Sequence, residues 1–144
     1  MRKNLFLLPA LLLVASALFV PSCTKDCKFK QADYLGTYSL DEDCSASAPA
    51  IYNVTIIAGA TDTEVKISKV WDRFVAGTVA TIDCETITIA RQQPDNDNFF
   101  VEGSGFIEKA DGRTTITMSY TVTDETVPGA INSDNCSQTV FVKQ

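Results

Sequence analysis

The stretch Thr115-Ile116-Thr117-Met118-Ser119-Tyr120-Thr121-Val122-Thr123 alternates an apolar residue with a hydroxyl-bearing one at every step. A period of two places Ile116, Met118, Tyr120 and Val122 on one face and threonine or serine on the other. That pattern is a strand with one buried and one wet face, and β-branched threonine suits the wet face. Shorter versions of the theme recur along the chain, and eight such segments can be marked: 36–43, 51–58, 64–69, 74–81, 84–90, 98–109, 113–123 and 136–142. Between them stand hairpin-like turns, among them Gly59-Ala60-Thr61-Asp62 and Ala110-Asp111-Gly112, the latter holding the Asp-Gly pair that tolerates positive φ. Two connections are longer, 91–97 and 124–135, the second holding Pro128-Gly129. Gly103-Ser104-Gly105 in the middle of the sixth segment predicts a bend or bulge, with the apolar phase changing across it.

Eight sequential antiparallel strands predict an all-β domain, an up-and-down barrel, with a two-sheet sandwich as the alternative. Cysteine placement favours the barrel. In a closed barrel the last strand pairs with the first, so Cys44, just past strand one, lies beside Cys136, which opens strand eight. A Cys44–Cys136 bridge would close that seam and stabilise it by about 4–5 kcal/mol on the chain-entropy account. Of the three pairings that four cysteines allow, the barrel topology would then join Cys27 to Cys84, with residues 28–33 crossing beneath one end of the barrel as a plug.

The N-terminus carries a different signal. Arg2 and Lys3 precede an uncharged apolar run, residues 5–20, which is short for a bilayer span and reads as an export signal. Val20-Pro21-Ser22-Cys23 resembles a bacterial lipoprotein cleavage site, which implies acylation of Cys23. The expected organisation is a signal peptide over 1–22, a lipid-anchored tether over 23–33 and one barrel domain over 34–144. Loss of the signal leaves 144 − 22 = 122 residues, enough for one compact core. Arg2 and Lys3 leave with it, so 12 − 2 = 10 cations face 18 carboxylates and the net charge is −8. A surface that acidic argues against nucleic acid as a partner. There is no histidine, which removes the commonest general base and metal ligand, so no catalytic or metal-binding residues and no cofactor are expected. Four cysteines besides Cys23 in an exported chain read as two disulfides.

Further residues carry a wider resemblance. They are Cys23-Thr24-Lys25-Asp26, Tyr34-Leu35-Gly36-Thr37-Tyr38-Ser39, Tyr52-Asn53-Val54-Thr55-Ile56, Gly103-Ser104-Gly105-Phe106-Ile107, Ser119-Tyr120-Thr121-Val122 and Cys136. Together they resemble small lipoproteins common in Bacteroidetes, some of them lipocalin-like or calycin-like. The resemblance implies a calycin-like barrel anchored by lipid in the bacterial outer membrane, facing the periplasm or the outside. The resemblance says little about activity; fold analogy and an aromatic-lined interior instead lead to the expectation of a non-enzymatic role, binding a small, largely apolar ligand inside the barrel.

The alternative is a protein-interaction module, such as a hydrolase inhibitor or surface accessory protein, acting through its loops. Val70-Trp71-Asp72-Arg73-Phe74 joins strands three and four, and Trp71, Arg73 and Phe74 are residue types that anchor partners, although the plainer expectation is that Trp71 caps the core. Tyr34, Tyr38 and Tyr52 are expected either to line the interior, where Tyr38 and Tyr52 would be candidate binding residues, or to fill it. Two acidic runs are read as ordinary surface. Asp41-Glu42-Asp43 is a solvated strand end, and Pro94-Asp95-Asn96-Asp97-Asn98 lacks the glycine and distal glutamate of a calcium loop.

Overall fold

The computed structural model describes residues 26–144; the expected export signal and Cys23 lie outside the described residues. Eight antiparallel strands follow one another in chain order: β1 (Gly36–Glu42), β2 (Ala50–Ala58), β3 (Glu64–Ile67), β4 (Thr78–Asp83), β5 (Thr86–Gln92), β6 (Phe99–Ala110), β7 (Arg113–Val127) and β8 (Ala130–Lys143). β1 pairs with β8 from Tyr38↔Lys143 to Asp41↔Val140, so the sheet closes into a barrel and leaves no edge strand. A short helix, α1 (Gln31–Tyr34), lies under one end. Among the described residues no helix is long and apolar enough to cross a membrane.

Both expected disulfides are present. Cys44–Cys136 sits at the β1–β8 seam, and Cys27–Cys84 ties the N-terminal segment to the β4–β5 turn. The plug is also as expected. Phe29 and Tyr34 are buried, and the Tyr34 hydroxyl donates to the carbonyl oxygens of Cys84 at 2.9 Å and Thr86 at 3.3 Å.

The barrel is filled by its own side chains. Tyr38, Leu40, Ile67, Ile87, Ile116 and Phe141 leave no accessible surface, even toward the barrel axis. An eight-stranded barrel is narrow enough for inward side chains to fill, and here they pack as one contiguous cluster running from Phe29 to Phe141.

Four expectations need correction. The apolar phase of β6 does not change: Val101, Gly103, Gly105 and Ile107 all face inward, and the β6–β7 register runs unbroken from Phe99 to Ala110. The two glycines make room instead. A Cβ at Gly103 would lie 2.4 Å from that of Tyr120, and one at Gly105 would lie 2.5 Å from Met118 Cγ. The irregularities lie nearby, between Ile89 and Gln92 of β5 and opposite Met118/Tyr120 of β7, where Gln138 of β8 takes φ 60°.

Phe74 does not begin a strand, because residues 70–77 fold back on themselves and β4 starts at Thr78. Cys84, expected to open strand five, takes φ 56° in the β4–β5 turn. Finally, most of 124–135 is not a loop: β7 and β8 continue as a paired arm to Val127↔Ala130, with Pro128-Gly129 as its tip.

The inward glycines generate a prediction. Gly105→Ala should lower the free energy of unfolding by about 1–3 kcal/mol, the usual cost of overpacking. Ser104→Ala, on the exposed face of the same strand, should stay within about 0.5 kcal/mol of wild type in urea titrations.

Candidate functional site

The two barrel ends differ in kind. α1 and the Cys27–Cys84 bridge cover the end where the N-terminal segment enters. The opposite end carries the long connections: residues 43–49, 68–77, 93–98 and the β7–β8 arm. These four segments meet around Trp71.

Trp71 is held by strain and by carboxylates. Lys69, Trp71 and Asp72 adopt φ of 55°, 58° and 43°, a left-handed conformation that costs a non-glycine residue on the order of 1 kcal/mol each. Such a turn persists only if its surroundings impose it. Trp71 Nε1 donates to Asp134 Oδ2 at 3.1 Å, and the Trp71 backbone N–H donates to Glu42. The Asp72 backbone N–H donates to the Tyr52 hydroxyl at 2.9 Å, which in turn donates to Glu42 Oε1 at 3.0 Å.

Asp134 is the hub. Besides Trp71 it accepts from the Ala46 backbone N–H at 2.7 Å, Ser47 Oγ at 2.7 Å and Ser45 Oγ at 3.3 Å. One buried carboxylate thereby joins the β1–β2 loop, the Trp71 turn and β8.

The two buried carboxylates are tuned in opposite directions. Burial pushes Glu42 up to about 7. The charges of Asp134 and Asp72 add to that push, and the hydrogen bonds from Tyr52 and Trp71 only partly offset it. Burial also raises Asp134, but its hydrogen bonds from Ser47, Ala46, Trp71 and Ser45 outweigh it and hold the carboxyl below its ordinary value. Tyr52 is raised by burial first and by the adjacent Glu42.

Around this hub, aromatic rings and guanidinium groups alternate. The Trp71 ring lies 6.4 Å from Phe74 and 5.8 Å from Phe99, centre to centre. Arg73 stacks on Phe99 at 3.8 Å and pairs with Asp97 at 3.0 Å. Arg91 stacks on Phe100 at 4.0 Å and pairs with Glu125 at 2.5 Å. A cleft of about 170 Å³ opens between Trp71, Phe99 and the base of the β7–β8 arm, where Val122, Asp124 and Asp134 line it. A second cleft, on the other side of Trp71, is bordered by Glu42, Ser47 and Arg73.

Of the residues singled out in the sequence, Trp71, Arg73, Phe74 and Tyr52 meet at this end. Phe74 is fully buried beneath Trp71, so it supports the site from below. Tyr38 stands apart in the filled interior, and its hydroxyl donates to the Tyr34 carbonyl at 2.8 Å, toward the plugged end. Glu42 is not part of a solvated strand end, since it shares inward parity with Tyr38 and Leu40 and is buried. Asp95 and Asp97 are turned to the protein: Asp95 accepts from the Val75 and Ala76 N–H groups, and Asp97 accepts from Arg73. Phe99 and Asp134 were not singled out. Asp134 lay in a segment read as loop, and its only signal is an acid two residues before a bridged cysteine.

Neither a protein-family model, nor a curated protein, nor a solved structure matches the chain. Function must therefore be argued from these residues.

Two predictions follow from the carboxylates. Between about pH 4.5 and 7 the folded protein keeps a proton on Glu42 that the unfolded chain has lost, so stability should fall as pH rises through that window. The full effect is roughly 3 kcal/mol, and Glu42→Gln should flatten the urea midpoint across the same range. Asp134 works the other way, its contribution present above the usual carboxylate range and lost as pH falls. Asp134→Ala strands the Trp71, Ser47 and Ala46 donors and should cost about 2–4 kcal/mol. The emission of Trp71, the single tryptophan, should move to longer wavelength in that variant.

Proposed function

We propose that this chain is a non-enzymatic, lipid-anchored protein of the bacterial cell envelope that presents the loop-bearing end of its barrel to a protein partner. The observation that carries the reading is the contrast between a filled interior and a constructed rim. The core side chains leave no space along the axis, whereas one end spends three left-handed residues and two buried carboxylates on fixing Trp71. Strain held in place by a surrounding network is characteristic of binding surfaces. Tryptophan and arginine in a pre-shaped rim are the side chains that anchor partners.

The tether supports the same reading. An acylated Cys23 is four residues from Cys27, a reach of at most about 14 Å, and Cys27 is bonded to the opposite end of the barrel from Trp71. Anchoring there keeps the plugged end near the membrane and turns the Trp71 end away from it. The lumen is the other candidate for a binding site, and its packing is the reason the loops are preferred.

A photo-crosslinking amino acid tests this in living cells. Placed at Asn132, beside the Trp71 cleft, it should give a discrete protein adduct. Placed at Asp111, in the β6–β7 turn at the anchored end, it should give none. Adducts only from Asp111, or from neither position, overturn the reading.

A further inference from the structure

The loop-bearing end is electrically one-sided. Over residues 42–50, 68–77, 91–98 and 124–134 there are eight carboxylates and three cations. All three cations are already paired with acids of the same end: Lys69 with Asp72 at 3.0 Å, Arg73 with Asp97 and Arg91 with Glu125. With Glu42 only partly ionised at neutral pH, the excess is four to five negative charges, and no cation of these segments is left over to balance it.

The protein also displays how this surface holds a cation. Arg73 lies between the Phe99 ring and the Asp97 carboxylate, and Arg91 between the Phe100 ring and the Glu125 carboxylate. In each case a guanidinium takes an aromatic face on one side and a carboxylate on the other, the arrangement that favours a partly desolvated cation. The cleft between Trp71 and the β7–β8 arm repeats these parts. Trp71 and Phe99 supply aromatic walls and Asp124 a carboxylate engaged through one oxygen, Oδ1, by Thr126. Neither lysine nor arginine is among the residues that line it.

We infer that this cleft receives a lysine or arginine side chain from a basic segment of a protein partner, completing a third aromatic–cation–carboxylate set. The inference rests on the proposed function and names its partner class. At about 170 Å³ the cleft is smaller than the ~300–1,000 Å³ usual for small-molecule sites, but it suits one long side chain. Val127 and Ile131 are 59% and 68% exposed on the arm beside it, so the apolar residues of such a segment would have surface to cover. Charge complementarity would also speed the encounter and make it salt-dependent.

Trp71 reports directly on the site. The probes are three peptides of equal length, alternating leucine with arginine, glutamine or glutamate, titrated into the exported, disulfide-bonded protein at neutral pH. The arginine peptide should give a saturable change in Trp71 emission that weakens as salt rises from about 0.05 to 0.3 M. Asp124→Asn should weaken it about tenfold, the size expected for one charge-assisted hydrogen bond. Asp111→Asn, at the far end, should leave it unchanged. Phe99→Leu provides a second variant that removes an aromatic wall and keeps the charge, and it too should weaken binding.

Equal loss from Asp124→Asn and Asp111→Asn would mean diffuse attraction to an acidic protein and would overturn the inference. Saturation by the glutamine peptide as tightly as by the arginine peptide would overturn the charge assignment while leaving the docking end in place. No response to the arginine peptide overturns the inference as well, and the docking reading then stands or falls on the Asn132 and Asp111 crosslinks.

Discussion

Everything in this protein depends on β1 reaching β8. The Tyr38–Asp41 pairing with Val140–Lys143 removes both sheet edges, and the Cys44–Cys136 bridge fastens the same seam one step further on. Closure is what packs Tyr38 against Phe141, whose rings meet nearly edge to face at 6.4 Å. It also brings Glu42 at the end of β1 and Asp134 near the start of β8 to one rim, although 92 positions separate them. The site is thus a product of the seam, because neither carboxylate could hold Trp71 without the other strand alongside.

The rim sets backbone strain against buried charge. Left-handed residues at 69, 71 and 72 would relax in a free loop. They are retained because Glu42, Tyr52 and Asp134 offer acceptors at the positions where the turn presents its donors. The two acids answer burial differently because their surroundings differ. Asp134 gathers four donors and stays charged, whereas Glu42 has two and lies under the repulsion of its acidic neighbours. A pair with such opposed tendencies can sit close together, since one member readily gives up its charge.

The strand framework was legible because period-two alternation is strong wherever one face is buried, as in Thr115–Thr123. The disulfides were legible as the one pairing, of the three that four cysteines allow, that a closed barrel favours. Local patterns failed where long-range packing decided the outcome. Gly103 and Gly105 read as a bend, yet they are absences of side chain that admit Met118 and Tyr120 from the neighbouring strand. Phe74 read as strand because it is apolar and flanked by apolar residues, but Gly77 at φ 83° lets the chain turn beneath Trp71 first. Glu42 was hidden in a run of three acids, although its parity with Tyr38 and Leu40 pointed inward. Asp134 carried almost no local signal, because its meaning comes from residues 45–47 and 71, far away in the chain.

The bridge between Cys27 and Cys84 also fixes how the molecule bears a load. A pull on the chain ahead of Cys27 is shared through a covalent bond with the β4–β5 turn and does not fall on α1 and β1 alone. The β1–β8 seam is therefore not peeled open like a zipper when the N-terminal segment is drawn taut. Tension between that segment and a grip on the β7–β8 arm crosses the barrel along its strands, where backbone hydrogen bonds are sheared together rather than broken one at a time. With respect to force the protein is a rivet with its head at the rim, and the oxidised cysteine pair is what makes it hold.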